Sequence, residues 1–118
     1  MLRVCIVRAA ALATSVVATA AVPSLTLTPP SVERGHKVVV TGSADGCAAG
    51  NTVIIISKAF VHTHEFAGLP AVLAKVKYGG SFRVTTTIPA TKRPGRYTVT
   101  ARCGGGNLGA LKYLRVRR

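Results

Sequence analysis

The chain has 118 residues with 16 basic and 3 acidic side chains, which give a formal net charge of +13 at neutral pH. Three acidic side chains leave little material for a paired acid/base site, so the composition argues against an enzyme that works with two carboxylates. The excess of positive charge instead favours a protein that attracts polyanions.

The first 20 residues have the pattern of a secretory signal peptide. Arg3 and Arg8 precede an uncharged run of small and apolar residues that includes a small-x-small cleavage pattern ending at Ala20. A retained membrane anchor is the alternative, but this run has only 14 residues, whereas a spanning helix needs about 20. We therefore predict a signal peptide at 1–20 and one mature domain at 21–118. We expect that domain to be secreted or extracellular, in association with the cell wall.

Cleavage of the leader removes Cys5 and leaves two cysteines, Cys47 and Cys103. In an oxidising compartment, two remaining cysteines favour a disulfide over thiol chemistry or a metal site. A Cys47–Cys103 bond closes a loop with a sequence separation of 56 residues. The chain-entropy estimate for that loop is roughly 4 kcal/mol, a large share of a small domain's stability.

After the leader, short strand-like runs separated by turn residues predict an all-β domain of about seven strands. The first strand, Leu25 to Thr28, alternates apolar residues with threonines and stops at Pro29-Pro30, which is typical of an edge strand. The second runs from His36 to Thr41. The third, Val53 to Ile56, is apolar on both faces, so we expect it at the centre of a sheet.

The next two strands, Ala71 to Tyr78 and Phe82 to Ile88, are joined by Gly79-Gly80. Two glycines supply the positive φ angles of a tight turn, so we predict that these strands form a hairpin.

The sixth and seventh strands differ in regularity. The sixth, Arg96 to Cys103, alternates cleanly and places its arginines on the solvent face. The seventh, Leu108 to Val116, has Lys112 in phase with apolar residues. We expect a bulge or a late start there.

Several of these motifs occur in the order found in a known family. They are Pro30 and Gly35 ahead of Val38-Val39-Val40-Thr41-Gly42, Cys47 to Val53 entering the third strand, Gly80-Ser81-Phe82 leading to Thr87-Ile88-Pro89, and Pro94 to Cys103. With them the mature chain resembles the bacterial extracellular immunoglobulin-like domains of Gram-positive secreted proteins.

The resemblance implies an immunoglobulin-like antiparallel β-sandwich that binds rather than catalyses. In antibody domains the disulfide joins two strands across the core beside a Trp, but this chain has no Trp, and Cys47 follows its strand. The bridge should instead tie the loop after the second strand to the end of the sixth, at one tip of the sandwich. Tyr97 lies six residues before Cys103 and is a candidate for a tyrosine corner.

Three segments have two interpretations each. In His62-Thr63-His64-Glu65 the two imidazoles would share one face of a strand, and a copper, nickel or zinc site there would need a third donor such as His36. The other interpretation is a polar connector between two apolar segments. Because the motif has no clear third ligand, we predict no metal site and no cofactor. The run Gly104-Gly105-Gly106 is interpreted as a connecting loop rather than a phosphate-binding nest. The segment 59–70, with Phe60 and Phe66, is either an exposed binding loop or core filling.

Loss of Arg3 and Arg8 leaves 14 basic and 3 acidic residues, a net charge of +11 on the mature chain. An exported protein with this charge is expected to meet anionic cell-wall polymers or lipid headgroups. The alternative interpretation is that the charge reflects a generally basic set of secreted proteins and only keeps the domain monomeric. The sequence lacks an RNA motif or a reading helix, so no nucleic-acid partner is expected. Candidate anion-binding residues are Arg83, Lys92, Arg93, Arg96, Arg102, Arg115, Arg117 and Arg118.

These observations predict a secreted, non-catalytic, monomeric domain that acts at the cell envelope by binding anionic polymers or an envelope protein. The alternative is a small-ligand carrier, because the enediyne-carrying apoproteins resemble this chain in size, export and fold. Those apoproteins are acidic and have two local disulfides, whereas this chain is basic and its two mature cysteines lie far apart.

Overall fold

The computed structural model describes residues 23–103 and 106–118, and in this part of the chain the fold is all-β. The predicted signal peptide, 1–20, lies outside the described residues. No described segment is a helix long and apolar enough to cross a membrane. The described strands are β1 Ser24–Thr28, β2 Ser31–Glu33, β3 Lys37–Ser43, β4 Thr52–Ile56, β5 His64–Phe66, β6 Leu69–Lys75, β7 Ser81–Thr87, β8 Gly95–Cys103 and β9 Gly106–Arg117.

The strands form two sheets. One has three strands in the order β1-β3-β7, and the other has six in the order β2-β9-β8-β4-β6-β5. The seven predicted strands are all present, with β1 at an edge and β4 inside the larger sheet as expected. The short strands β2 and β5 are additional, and β2 runs parallel to β9, whereas the other pairs are antiparallel.

The hydrophobic core lies between the two sheets because alternate residues of each strand face inward. In β3, Val38 and Val40 are fully buried, and in β4 the same is true of Val53 and Ile55. Phe60, in the connection after β4, is 1% exposed and fills space between the sheets. Burial of each such side chain contributes roughly 1.5–3 kcal/mol.

The predicted hairpin across Gly79-Gly80 is wrong. β6 pairs with β4 and β5, whereas β7 pairs with β3 in the other sheet. The turn itself forms, since both glycines have positive φ and the Lys77 amide donates to the Ser81 carbonyl at 2.8 Å. The glycines therefore predict the tight turn correctly, but they do not determine which strands β6 and β7 pair with.

The irregularity expected in the last strand is confirmed. Thr100 and Arg102 are two residues apart on β8, but their partners Leu111 and Asn107 are four apart on β9. Gly109 lies in this bulge with φ +80°, and its amide donates to the Asn107 side chain at 2.8 Å. From Leu111 to Val116 the pairing of β9 with β8 is regular again.

The Cys47–Cys103 disulfide is present, with 6.1 Å between the Cα atoms. Cys47 lies in the loop after β3 and Cys103 is the last residue of β8, as predicted. The bond therefore links the segment that follows the smaller sheet's central strand to the larger sheet.

Replacing both cysteines with alanine should lower the free energy of unfolding by roughly 4 kcal/mol, because the bond closes a long loop in the unfolded chain. Chemical denaturation of the purified protein and of the Cys47→Ala/Cys103→Ala variant measures the difference. Intact mass under non-reducing conditions provides the control, and two free thiols in the purified protein would contradict the pairing.

Gly42 allows β3 to pack closely against its neighbours in the smaller sheet. A Cβ atom at this position would lie 2.7 Å from the Phe82 ring and would overlap the carbonyl oxygen of Ser24. Phe82 is 2% exposed, so the ring has little room to move away.

We expect Gly42→Ala to lower the free energy of unfolding by about 1–3 kcal/mol through overpacking. Gly106→Ala is the matched control, because the nearest atom to its added Cβ is the Cys103 carbonyl oxygen at 3.6 Å. Equal stability of the two variants in urea denaturation would contradict this account.

Candidate anion-binding face

Alternation along β8 separates core residues from basic ones. Val99 and Ala101 are fully buried on the inner face of the larger sheet. Arg96 and Arg102 lie on the opposite, outer face, as the sequence predicted. The two arginines are six positions apart, which corresponds to roughly 20 Å along the strand.

Neighbouring β9 adds further arginines to this outer face. Arg115 lies directly opposite Arg96, and Arg117 follows two residues later with the same orientation. We call the outer surface that bears Arg96, Arg102, Arg115 and Arg117 the arginine face. Like charges directly opposite one another repel, so this arrangement is unfavourable for the isolated sheet.

Two of these arginines stack on aromatic rings. The guanidinium carbon of Arg96 lies 4.3 Å from the centre of the Tyr113 ring, and that of Arg102 lies 4.8 Å from the centre of the Phe66 ring. Such cation–π contacts contribute about 0.5–1 kcal/mol at exposed sites and restrict the guanidinium to one orientation.

Arg117 is partly neutralised. Its guanidinium lies 3.4 Å from a Glu33 carboxylate oxygen and donates to the Ser31 hydroxyl at 2.9 Å. Glu33 also contacts His36 at 3.5 Å. Arg117 therefore contributes less to the attraction of anions than its position alone indicates.

The other predicted residues are dispersed. Arg83 pairs with Thr41 on the outer face of the smaller sheet, on the opposite side of the sandwich. Lys92 and Arg93 lie in the turn between β7 and β8, where the Lys92 ammonium donates to the Lys58 carbonyl at 2.7 Å. Arg118 follows β9. The structure thus brings four of the eight candidate residues together on the arginine face and places Arg83 on the other sheet.

A cleft of about 340 Å³ lies beside Arg96 on the same surface. Ile56 and Leu69 give it an apolar part, and Lys58 adds a second cation. Thr98 and Thr100, which alternate with the core residues of β8, supply hydroxyls. Among the described residues that line the cleft, none is acidic.

Sequence reasoning missed most of this cleft. Thr98 and Thr100 were available from the alternation that identified Arg96, because they lie between the two predicted arginines on one face. Lys58 and Leu69 have no local signal. Lys58 follows β4, which pairs with β8, and Leu69 begins β6, which reaches the cleft because it pairs with β4.

The segment 59–70 is partly core filling and partly exposed surface. Phe60 belongs to the core, whereas Phe66 is half-buried beneath Arg102, and Leu69 lines the cleft. A two-residue turn at Ala67 and Gly68, both with positive φ, joins β5 to β6 and returns the chain across the face.

The histidine motif forms a local hydrogen bond between His62 and Glu65. His62 Nε2 lies 2.9 Å from a Glu65 carboxylate oxygen, and both side chains are more than half exposed. Within residues 23–103 and 106–118, no group of three or more His, Cys, Asp or Glu side chains is placed to hold a metal ion. Gly104 and Gly105 lie outside the described residues, and Gly106 begins β9.

Tyr97, the candidate for a tyrosine corner, forms a hydrogen bond to the backbone upstream. The Tyr97 hydroxyl donates to the Arg93 carbonyl, four residues upstream, at 2.6 Å. This bond holds the turn that leads into Arg96.

Tyr97→Phe should lower the free energy of unfolding by about 1 kcal/mol, because it removes one hydrogen bond and keeps the ring. Thermal unfolding measures the loss. Tyr78→Phe is the control, since Tyr78 is 96% exposed, and an equal effect in both variants would contradict a role for the corner.

Comparison with known proteins supports the fold. No family model matches the sequence, and no curated protein is significantly similar to it. The alkylpurine DNA glycosylase AlkC of Pseudomonas fluorescens, solved with DNA containing an abasic site analog, aligns with a TM-score of 0.52 and 19% identity. The alignment covers 80% of this chain but only 29% of AlkC.

BslA, described as a bacterial hydrophobin, aligns with a TM-score of 0.53 and 13% identity. Here the alignment covers 80% of this chain and 99% of BslA. At these identities the two likenesses show a shared β-fold.

Proposed function

We propose that this protein is a secreted, non-catalytic domain of immunoglobulin-like type that binds anionic polymers of the cell envelope through the arginine face. The observation that carries the proposal is the alignment of Arg96, Arg115 and Arg102 on one surface of the larger sheet, with Arg96 and Arg102 stacked on rings. Charged groups fixed in this way lose less entropy on binding than mobile side chains do.

The spacing of the arginines favours a polymer over a single headgroup. Arg96 and Arg102 are separated by roughly 20 Å along β8, with Thr98 and Thr100 between them on the same face. One extended polyanion spans this distance and contacts both ends at once, which raises the overall affinity through effective concentration. Lipid headgroups, in contrast, would occupy the two ends independently.

A carrier function is the second class of proposal. The space between the sheets is filled by large side chains such as Phe60, Ile55 and Ile88, each at most 1% exposed. This packing gives little support to a carrier that holds its ligand between the sheets, because such a ligand would need a cavity of several hundred Å³ there.

Sedimentation with purified cell walls across a salt series tests the proposal. The secreted protein should bind at low salt, and its affinity should fall steeply towards physiological salt as screening increases and counterions are released. Arg96→Gln/Arg102→Gln should weaken binding about tenfold or more at low salt and flatten the salt dependence.

Arg83→Gln is the matched control, because Arg83 carries the same charge on the opposite face. Equal losses in the control and in the single Arg96→Gln variant would show that net charge alone causes binding and would overturn the proposed face. Tighter binding to anionic lipid vesicles or to duplex DNA than to cell walls at the same salt would overturn the choice of ligand.

A further inference from the structure

The cleft beside Arg96 has the size of a site for one small molecular unit. Its volume of about 340 Å³ lies at the lower end of the range for small-molecule sites. It adjoins the arginine face through Arg96, which belongs to both. A polymer that follows the arginine face therefore passes the mouth of the cleft.

The cleft lining combines two chemistries. Ile56, 8% exposed, and the half-buried Leu69 provide an apolar surface, and the hydroxyls of Thr98 and Thr100 provide hydrogen-bonding groups. A sugar ring has the same combination, because its C–H groups form an apolar face and its hydroxyls lie at the edge. Orientation by a few polar groups over an apolar surface is typical of small-ligand sites.

Positive charge surrounds this cleft. Lys58 and Arg96 line it, and the Lys92 ammonium lies 2.7 Å from the carbonyl oxygen of Lys58. Because none of the described lining residues is acidic, this charge has no counterpart within the cleft itself. A neutral sugar would leave the cations unused, so the ligand should be anionic.

The residues around the cleft are held by the fold. The Ser57 amide donates to the Pro70 carbonyl at 3.2 Å, and the buried Ser57 hydroxyl accepts from the Ala59 amide at 3.1 Å. On the other side, Tyr97 holds the turn before Arg96, and Tyr113 supports the guanidinium. Such a preformed site binds a small ligand without a large ordering cost.

We propose that the cleft binds one anionic sugar unit, a six-membered ring with a phosphate or carboxylate substituent, with Lys58 and Arg96 on the anion and Thr98 and Thr100 on the ring hydroxyls. This inference rests on the proposed function, because the arginine face supplies the polymer to which the unit belongs. It adds a specific subsite to a surface otherwise dominated by long-range charge.

Amide chemical shifts of the ¹⁵N-labelled secreted protein test the subsite in titrations with four probes: glucose 6-phosphate, glucuronate, glucose and inorganic phosphate. At least one of the two charged sugars should shift amides at the cleft, such as those of Lys58 and Leu69, and bind about threefold or more tightly than glucose or phosphate. The stronger of the two charged sugars identifies the substituent. Equal binding of inorganic phosphate would overturn the sugar assignment.

Lys58→Gln should weaken binding of the preferred sugar about threefold or more, and Thr100→Val should do so without a change of charge. Lys37→Gln is the charge-matched control, because Lys37 lies on the smaller sheet and pairs with Thr87. An equal loss in Lys37→Gln would overturn the subsite.

The two proposals fail differently. If the charged sugars leave the cleft amides unshifted while the secreted protein still sediments with cell walls, the subsite is wrong and the arginine face stands. If the sugars shift those amides but the protein does not sediment with walls at low salt, the polymer proposal is wrong, and with it the assignment of the sugar to a polymer.

Discussion

The position of β8 between β4 and β9 determines the direction of the side chains that β8 contributes to the candidate site. Its inner residues, Val99 and Ala101, are fully buried, so the strand cannot shift by one residue without moving arginines into the core. The same constraint holds Arg96 and Arg102 outside. The stability of the core and the geometry of the arginine face are therefore two results of a single register.

This register has an electrostatic cost. It places Arg96 directly opposite Arg115, and only three carboxylates are available in the whole chain to offset the repulsion. One of them, Glu33, contacts Arg117 at the margin of the face. The rings beneath Arg96 and Arg102, the packed core and the long disulfide-closed loop are the features that compensate. An anion placed between Arg96 and Arg115 would relieve this repulsion.

The sequence was sufficient for those features that depend on neighbouring residues. Alternation predicted the faces of β8, the prolines after Thr28 predicted an edge strand, and the positive-φ glycines predicted the turn at Gly79-Gly80. The sequence did not predict the pairing of distant segments. The same glycine turn can join two paired strands of a hairpin or two strands that lie in different sheets. The cleft falls in the second class, because β4, β6 and β8 each contribute part of it.

The short parallel pair of β2 and β9 gives the domain a mechanical property. Ser31 to Glu33 lies beside Arg115 to Arg117 with both strands running the same way. Tension between the chain that precedes β2 and the chain that follows β9 pulls the two strands in opposite directions along their length. Their hydrogen bonds are then loaded together in shear rather than opened one at a time. Bonds that are loaded together resist extension more than bonds that open in sequence, and the Arg117–Glu33 contact lies along the same pair of strands.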